Sequence, residues 1–199
     1  MAPDADDWEP LTPDEVAARL REVNAPWCVV GGHAVDLCLG RQTREHEDIE
    51  VAVLRQQFPL FRMILAEFAL YEAGNGMIAP LPDAASPSPE KHQVWCHDKK
   101  ARKWRLDVML ESGTPEQWSY RRDPQFQFPR GEMVLRSSDG IPFLRPEAVL
   151  LFKAKYLRPK DVADFNALLP VLDVAGRDWL AKALRRFHPG HEWLQALNS

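Results

Sequence analysis

Asp48 and Glu50 stand one residue apart at the start of an apolar run that continues through Val51, Ala52 and Val53. In an extended strand, residues i and i+2 point to the same face. Asp48 and Glu50 therefore present two carboxylates together, while Ile49, Val51 and Val53 pack on the opposite face. A later apolar stretch, WRLDVML, repeats the pattern. Leu106, Val108 and Leu110 share one face, and Arg105, Asp107 and Met109 share the other. If the two strands are neighbours, Asp48, Glu50 and Asp107 converge. Three like charges at one place repel and raise one another's pKa. A divalent cation relieves that repulsion, and hard carboxylate oxygens suit Mg²⁺, which leaves the rest of its shell to water and phosphate. Read alone, Asp48 and Glu50 are surface acids paired with Arg41, Arg44 or His46. The upstream glycines and the later Asp107 favour the metal reading.

Gly31 and Gly32 lie between a β-prone run and a helical one. Glycine allows close approach of backbone to a ligand, and the free N–H groups at a helix start favour anions. Arg41, Thr43, Arg44 and His46 fall between that helix and the acidic strand. Arginine forks match phosphate oxygens. A glycine turn, a basic loop and a convergent acid set together describe a nucleoside-triphosphate site better than any one of them does. Further along, Lys153, Lys155, Arg158 and Lys160 form a cationic cluster within reach of a triphosphate tail.

These side chains need elements to hold them. Thr12-Pro13-Asp14-Glu15 has the features of a helix start: a capping hydroxyl, an early proline and a glutamate three residues on. Val16, Leu20 and Val23 form that helix's apolar face. Trp27–Val30 is a short strand, and 34–39 a helix closed by Gly40. Ile49–Leu54 is the acidic strand. Leu60, Phe61, Ile64, Leu65 and Phe68 recur at helical spacing and predict a second long helix. Gly74-Asn75-Gly76 predicts a tight turn between two strands. Residues 82–90 read as a surface loop. Gln93–Cys96 and Trp104–Leu110 are strands, and Val134–Arg136 and Ile141–Leu144 flank a further hairpin turn. From Pro146 the pattern changes to about four short helices separated by proline or glycine. The expected fold class is therefore α+β, a mixed sheet with helices, in two parts: residues 1–145 and a helical region 146–199.

The composition sets bounds on function. The chain has 199 residues, 45% of them hydrophobic, enough for one domain with a real core. A net charge of −4 gives no support to binding of nucleic acid. No apolar run has the length of a membrane span, and the acidic N-terminus lacks the pattern of a signal peptide. Cys28, Cys38 and Cys96 lack paired spacing and read as reduced thiols of a cytoplasmic protein. Zinc spacing is lacking around His92, Cys96 and His97, and His188 and His191 fall in a turn between helices. Trp95, Trp118 and Tyr120 are candidates for lining a ligand pocket.

Gly31-Gly32, Asp48-x-Glu50 and Asp107 resemble the polymerase-β-type nucleotidyltransferase superfamily. Within it, the blocks GGHAVDLCLGRQTREHEDIEVAV, WRLDVML, WSYRRDP, DGIPFLRPEAVLLFKAKYLRPKDVADFNALLP and HPGHEWLQAL resemble the small aminoglycoside- and lincosamide-type adenylyltransferases. The resemblance implies a twisted mixed sheet with a helical C-terminal region, Mg²⁺ on Asp48 and Glu50, and ATP as co-substrate. It implies Asp107 as the third metal-side acid or as the base that takes the acceptor's proton. It implies that at least one lysine of the Lys153, Lys155 and Lys160 cluster contacts phosphate. Asp161 and Asp164 read as residues that fix helix packing rather than bind metal. The expected activity is transfer of AMP to a hydroxyl of a small-molecule acceptor. Glu50 departs from the commoner aspartate at its position. That departure is the support for an alternative, a nucleotidyltransferase-fold binding module of antitoxin type.

Overall fold

The fold was analysed in a computed structural model, which describes residues 3–198. Its centre is a mixed sheet of eight strands in the order β4-β3-β5-β6-β2-β1-β10-β9. These strands are β1 (Trp27–Val30), β2 (Glu50–Leu54), β3 (Ala69–Gly74), β4 (Met77–Pro80), β5 (Gln93–Asp98), β6 (Lys103–Glu111), β9 (Val134–Arg136) and β10 (Pro142–Leu144). The remaining strands, β7 (Gln117–Tyr120) and β8 (Asp123–Pro129), form a separate two-stranded sheet.

Strand β2 lies deep in the sheet, with Val51, Val53 and Leu54 at most 1% exposed. It runs antiparallel to β1 and parallel to β6. A parallel neighbour needs a long connection. Here the chain between β2 and β6 supplies a short helix and the hairpin side of the sheet, β3 to β5. The Gly74-Asn75-Gly76 turn joins β3 to β4 as its residue types require, with Asn75 and Gly76 both at positive φ.

Helix α1 (Pro13–Arg19) carries the capping box expected from its sequence, Thr12 accepting from the Glu15 N–H and Glu15 from the Thr12 N–H. Helix α2 (Gly31–Leu39) starts directly from β1, earlier than the predicted start at residue 34, and ends on Gly40 in the left-handed region. The predicted long helix over residues 60–68 is shorter. A 3₁₀ turn (Arg55–Gln57) leads into α3 (Phe58–Ile64), and the chain then turns so that Phe68 enters the core outside the helix. Leu60, part of the apolar repeat, is 43% exposed. Helix α4 (Arg130–Met133) follows β8, and the C-terminal part consists of α5 (Pro146–Lys153), α6 (Pro159–Leu168), α7 (Val174–Phe187) and α8 (Trp193–Leu197). Prolines at the first turns of α5 and α6 fit positions where an N–H has no helical partner. Helix α5 packs on α2 and α7, and one apolar core runs from Leu11 through Leu197 across the 145/146 boundary.

Candidate active site

Strand register brings the acids together. Glu50 on β2 is the direct partner of Asp107 on β6. Directly paired residues of neighbouring strands point to the same face. Further along that face, Ala52 from β2, Met109 and Glu111 from β6, and Gln93 from β5 line a cavity of about 370 Å³, with Glu50 among its walls. Asp107 continues that row on β6, outside the residues that line the cavity, and is 2% exposed. Gln93 Nε2 donates to Asp107 Oδ2 at 2.6 Å. Asp107 Oδ1 is buried with no partner at hydrogen-bond distance, and the Trp95 indole N–H, itself unpartnered, lies near enough to favour the ionised carboxylate.

The electrostatics follow from that crowding. Burial, then the charge of Asp48, pushes the Glu50 carboxyl up to about 7. Burial, then the charge of Glu50, raises Asp107 well above the usual carboxylate range. Asp48 acts on both groups, so the three acids share one electrostatic neighbourhood. Lys153, Arg158 and Lys160 favour ionised Glu50 without outweighing those effects.

The glycine pair seats side chains of this chain. Gly31 has φ +64°, and a Cβ there would collide with the Glu50 carboxylate. A Cβ at Gly32 would collide with the Arg44 guanidinium and the His46 ring. Each glycine is thus a requirement for placing Glu50 or the basic loop against the start of α2.

The basic loop is tied down internally. Thr43 donates to Asp36 Oδ1 from its N–H (2.9 Å) and its hydroxyl (2.6 Å). His46 Nε2 lies 2.6 Å from Asp36 Oδ2. His33, Asp36 and His46 have ligand atoms within 4.8 Å of one another. Thr43 and His46 occupy both Asp36 oxygens, while His33 joins the group through its ring, 4.2 Å from that of His46, with Nε2 buried and without a hydrogen-bond partner. Arg44 makes a two-pronged contact with Asp164, at 2.9 and 3.1 Å. Lys153 Nζ is 2.7 Å from Asp164 and 3.4 Å from Asp161, and Arg158 also binds Asp161. Asp161 and Asp164 are almost fully buried, and these cations hold both carboxyls below their usual range against the opposing effect of burial. They fix helix packing, as expected. Arg41 and Lys155 are exposed, and Lys155 lies over the Tyr156 ring, 4.9 Å from its centroid.

The aromatic residues divide. Trp118 lines the cavity. Trp95 packs edge-on against Trp8 and Trp104, and Tyr120 is buried against Phe152 and Phe187. Arg121 and Arg122, in the turn between β7 and β8, also line the cavity. Two adjacent arginines in a turn carry no periodic signal in the sequence, and the β7–β8 hairpin that aims them has none of the glycine or asparagine turn residues that mark a hairpin.

Comparison with known proteins agrees with the architecture. Residues 14–80 match the aminoglycoside-2''-adenylyltransferase family. No curated protein sequence matches the chain. Among solved structures, the antibiotic-resistance factor ANT(2'')-Ia is 17% identical, with a TM-score of 0.60 over 87% of this chain and 89% of that one. A crystal structure of ANT(2'')-Ia with adenylyl-2''-tobramycin is 16% identical, with a TM-score of 0.59 over 87% and 95%. The lincosamide antibiotic adenylyltransferase LnuA, bound to lincomycin, is 18% identical, with a TM-score of 0.57 over 82% and 100%. The chain thus has the nucleotidyltransferase fold that its sequence blocks resemble.

Proposed function

We propose that this chain is a Mg²⁺-dependent adenylyltransferase that moves AMP from ATP to a hydroxyl of a small molecule of the aminoglycoside or lincosamide kind, releasing pyrophosphate. The observation that carries this reading is the pairing of Glu50, which lines a cavity of ligand size, with the buried Asp107, both within electrostatic reach of Asp48. In this reading residues 1–145 supply the acids, and the 146–199 region supplies Lys153, Arg158 and Lys160 beside them.

The donor set fits the metal. Its oxygens are hard ligands, one of them, Asp107 Oδ1, is buried without a partner, and the raised Glu50 and Asp107 carboxyls mark a site short of positive charge. Asp48 and Glu50 would hold the ion. When bound, Mg²⁺ supplies charge neutralisation for the phosphates that change partners.

The remaining chemistry belongs to the protein. Gln93 holds Asp107 Oδ2, which leaves Oδ1 to accept the proton of the acceptor hydroxyl. A carboxylate raised by burial is a stronger base than a solvated one, and its titration moves towards working pH. Glu50 is one methylene longer than aspartate, and Gly31 leaves room for its carboxylate against the backbone. The extra length is accommodated where a larger residue at 31 would block it.

The test is a pyrophosphate-release screen with ATP, Mg²⁺ and a panel of aminoglycosides, lincosamides and sugar alcohols, alongside thermal unfolding. ATP and Mg²⁺ together should raise the unfolding midpoint more than the sum of each alone, and Asp48→Ala should remove that synergy. Measurable ATP binding with no release from any acceptor would favour the binding-module alternative.

A further inference from the structure

We infer that Arg121 and Arg122 are the clamp for the polyphosphate tail of the nucleotide, a role that the sequence suggested for Arg44 and Lys153. The inference rests on the nucleotidyltransferase reading for the nature of the ligand, and on charge accounting within the cavity for the residues.

The cationic side chains lining the cavity are Arg121, Arg122, Lys153 and Arg158. Lys153 and Arg158 are committed to the buried carboxylates of Asp161 and Asp164. Arg44, from the neighbouring basic loop, is committed to Asp164 as well. Any of these could turn to a ligand only by giving up its share of a network over two buried aspartates, which is costly. Among the described residues, neither Arg121 nor Arg122 is in an ion pair. Arg121 Nε is buried without a hydrogen-bond partner. Arg122 donates to the Tyr120 hydroxyl at 2.9 Å and to the Phe152 carbonyl at 3.4 Å. Its guanidinium lies over the Phe152 ring, 5.4 Å from the centroid. Arg122 is therefore held in place with its charge uncompensated. Arg121 sits beside it with no partner, destabilised by burial first and by Arg122 second.

Two adjacent, partly desolvated guanidinium groups are unfavourable without an anion. Planar forks of this kind match phosphate oxygens. They face the same cavity as Glu50, so a chain of phosphates held near the acids at one end meets the arginines at the other. This is the arrangement that in-line transfer needs: acids where the bond changes, cations where pyrophosphate leaves.

The probe is inorganic pyrophosphate, titrated calorimetrically into the full-length protein in Mg²⁺ buffer. Arg121→Gln should weaken its binding by about 10-fold or more, the scale of a lost hydrogen bond to a charged group. The same substitution should leave the ligand-free unfolding midpoint unchanged or raise it, because Arg121 has no partner to lose. Arg122→Lys should also weaken binding, since a point charge cannot replace the fork. Saturation with ATP should abolish pyrophosphate binding. Unchanged pyrophosphate affinity in both variants overturns the assignment, and so does pyrophosphate binding that persists beside saturating ATP. The parent reading fails separately: if Asp48→Ala retains the ATP and Mg²⁺ synergy, adenylyl transfer at the acids is wrong whatever the arginines bind.

Discussion

Substituting Glu50 by glutamine tests the site before any substrate is known. The Glu50 carboxyl titrates at about 7 in the folded protein against 4.5 for an ordinary glutamate. Between those values the folded chain holds a proton that the unfolded chain has released. Stability from this group therefore falls as pH rises through that window. Between pH 5.5 and 8 the loss works out at about 2 kcal/mol, from about 1.4 kcal/mol per pKa unit. Because Glu50 faces a cavity, solvent reduces that figure, and about 1–2 kcal/mol is expected. His33 works in the opposite direction. Burial, then His46, lowers it to about 4 from 6.5, so its contribution is lost as pH falls below the unfolded value and regained as pH rises. The wild-type profile alone is therefore a sum of opposed slopes. The difference between wild type and Glu50→Gln cancels His33 and reads Glu50 together with Asp107, whose titration its charge raises. Urea unfolding in chelator at pH 5.5 and pH 8 should show wild type losing about 1–2 kcal/mol relative to the variant as pH rises. Millimolar Mg²⁺ at pH 8 should restore wild type and leave the variant unaffected. A stability difference that does not change with pH would refute the reasoning, since Glu50 would then be ionised at no cost in the empty protein.

Other substitutions read other parts of the site. Gly31→Ala meets both a positive φ and the Glu50 carboxylate. It should cost about 1–3 kcal/mol in chemical denaturation and abolish the ATP and Mg²⁺ synergy, because the acid is displaced. Asp164→Ala leaves Arg44 and Lys153 without their shared carboxylate. A loss of about 3–5 kcal/mol in urea unfolding is expected, and a loss under 1 kcal/mol would show that the network is slack. Gln93→Leu removes the donor to Asp107. Its effect should appear as a lower rate and a shifted pH–rate profile, with ATP affinity unchanged; an unaltered profile would dissociate Gln93 from the base.

Much of the framework was legible because it rests on local rules. The Thr12 capping box and the Asn75-Gly76 turn each follow from neighbours in sequence, whereas Asp48, expected to share a strand face with Glu50, lies before β2 begins. Alternation shows which side chains share a face, but not which strand lies alongside. That Asp107 pairs with Glu50 across 57 residues is a property of sheet order. Charge type was readable for Arg44 and Lys153, and their partners were not. Both meet at Asp164, in a helix that the sequence places far from the basic loop. The residues most exposed to this limit are Arg121 and Arg122. Their significance lies in having no carboxylate partner, and only the fold shows who is absent from a side chain's surroundings.

The ion pairs behind the site explain how the acids are held at all. Asp48 precedes β2, outside the sheet's hydrogen bonding, so its position depends on the loop that carries it. That loop is anchored to α2 through Asp36, which takes Thr43 and His46, and to α6 through Asp164, which takes Arg44. A third tie, Glu47 to Lys160 at 3.0 Å, is largely exposed and contributes little. The buried ties differ in kind. Arg44 shares Asp164 with Lys153, so loop and C-terminal helices are fixed by a single carboxylate, and movement of α5 or α6 passes to the residues just before Asp48. Helices of the 146–199 region thereby set the geometry of acids on the 1–145 sheet without touching them. The repulsion among Asp48, Glu50 and Asp107 is sustained by these anchors, because a loop free to relax would move Asp48 away from the other two.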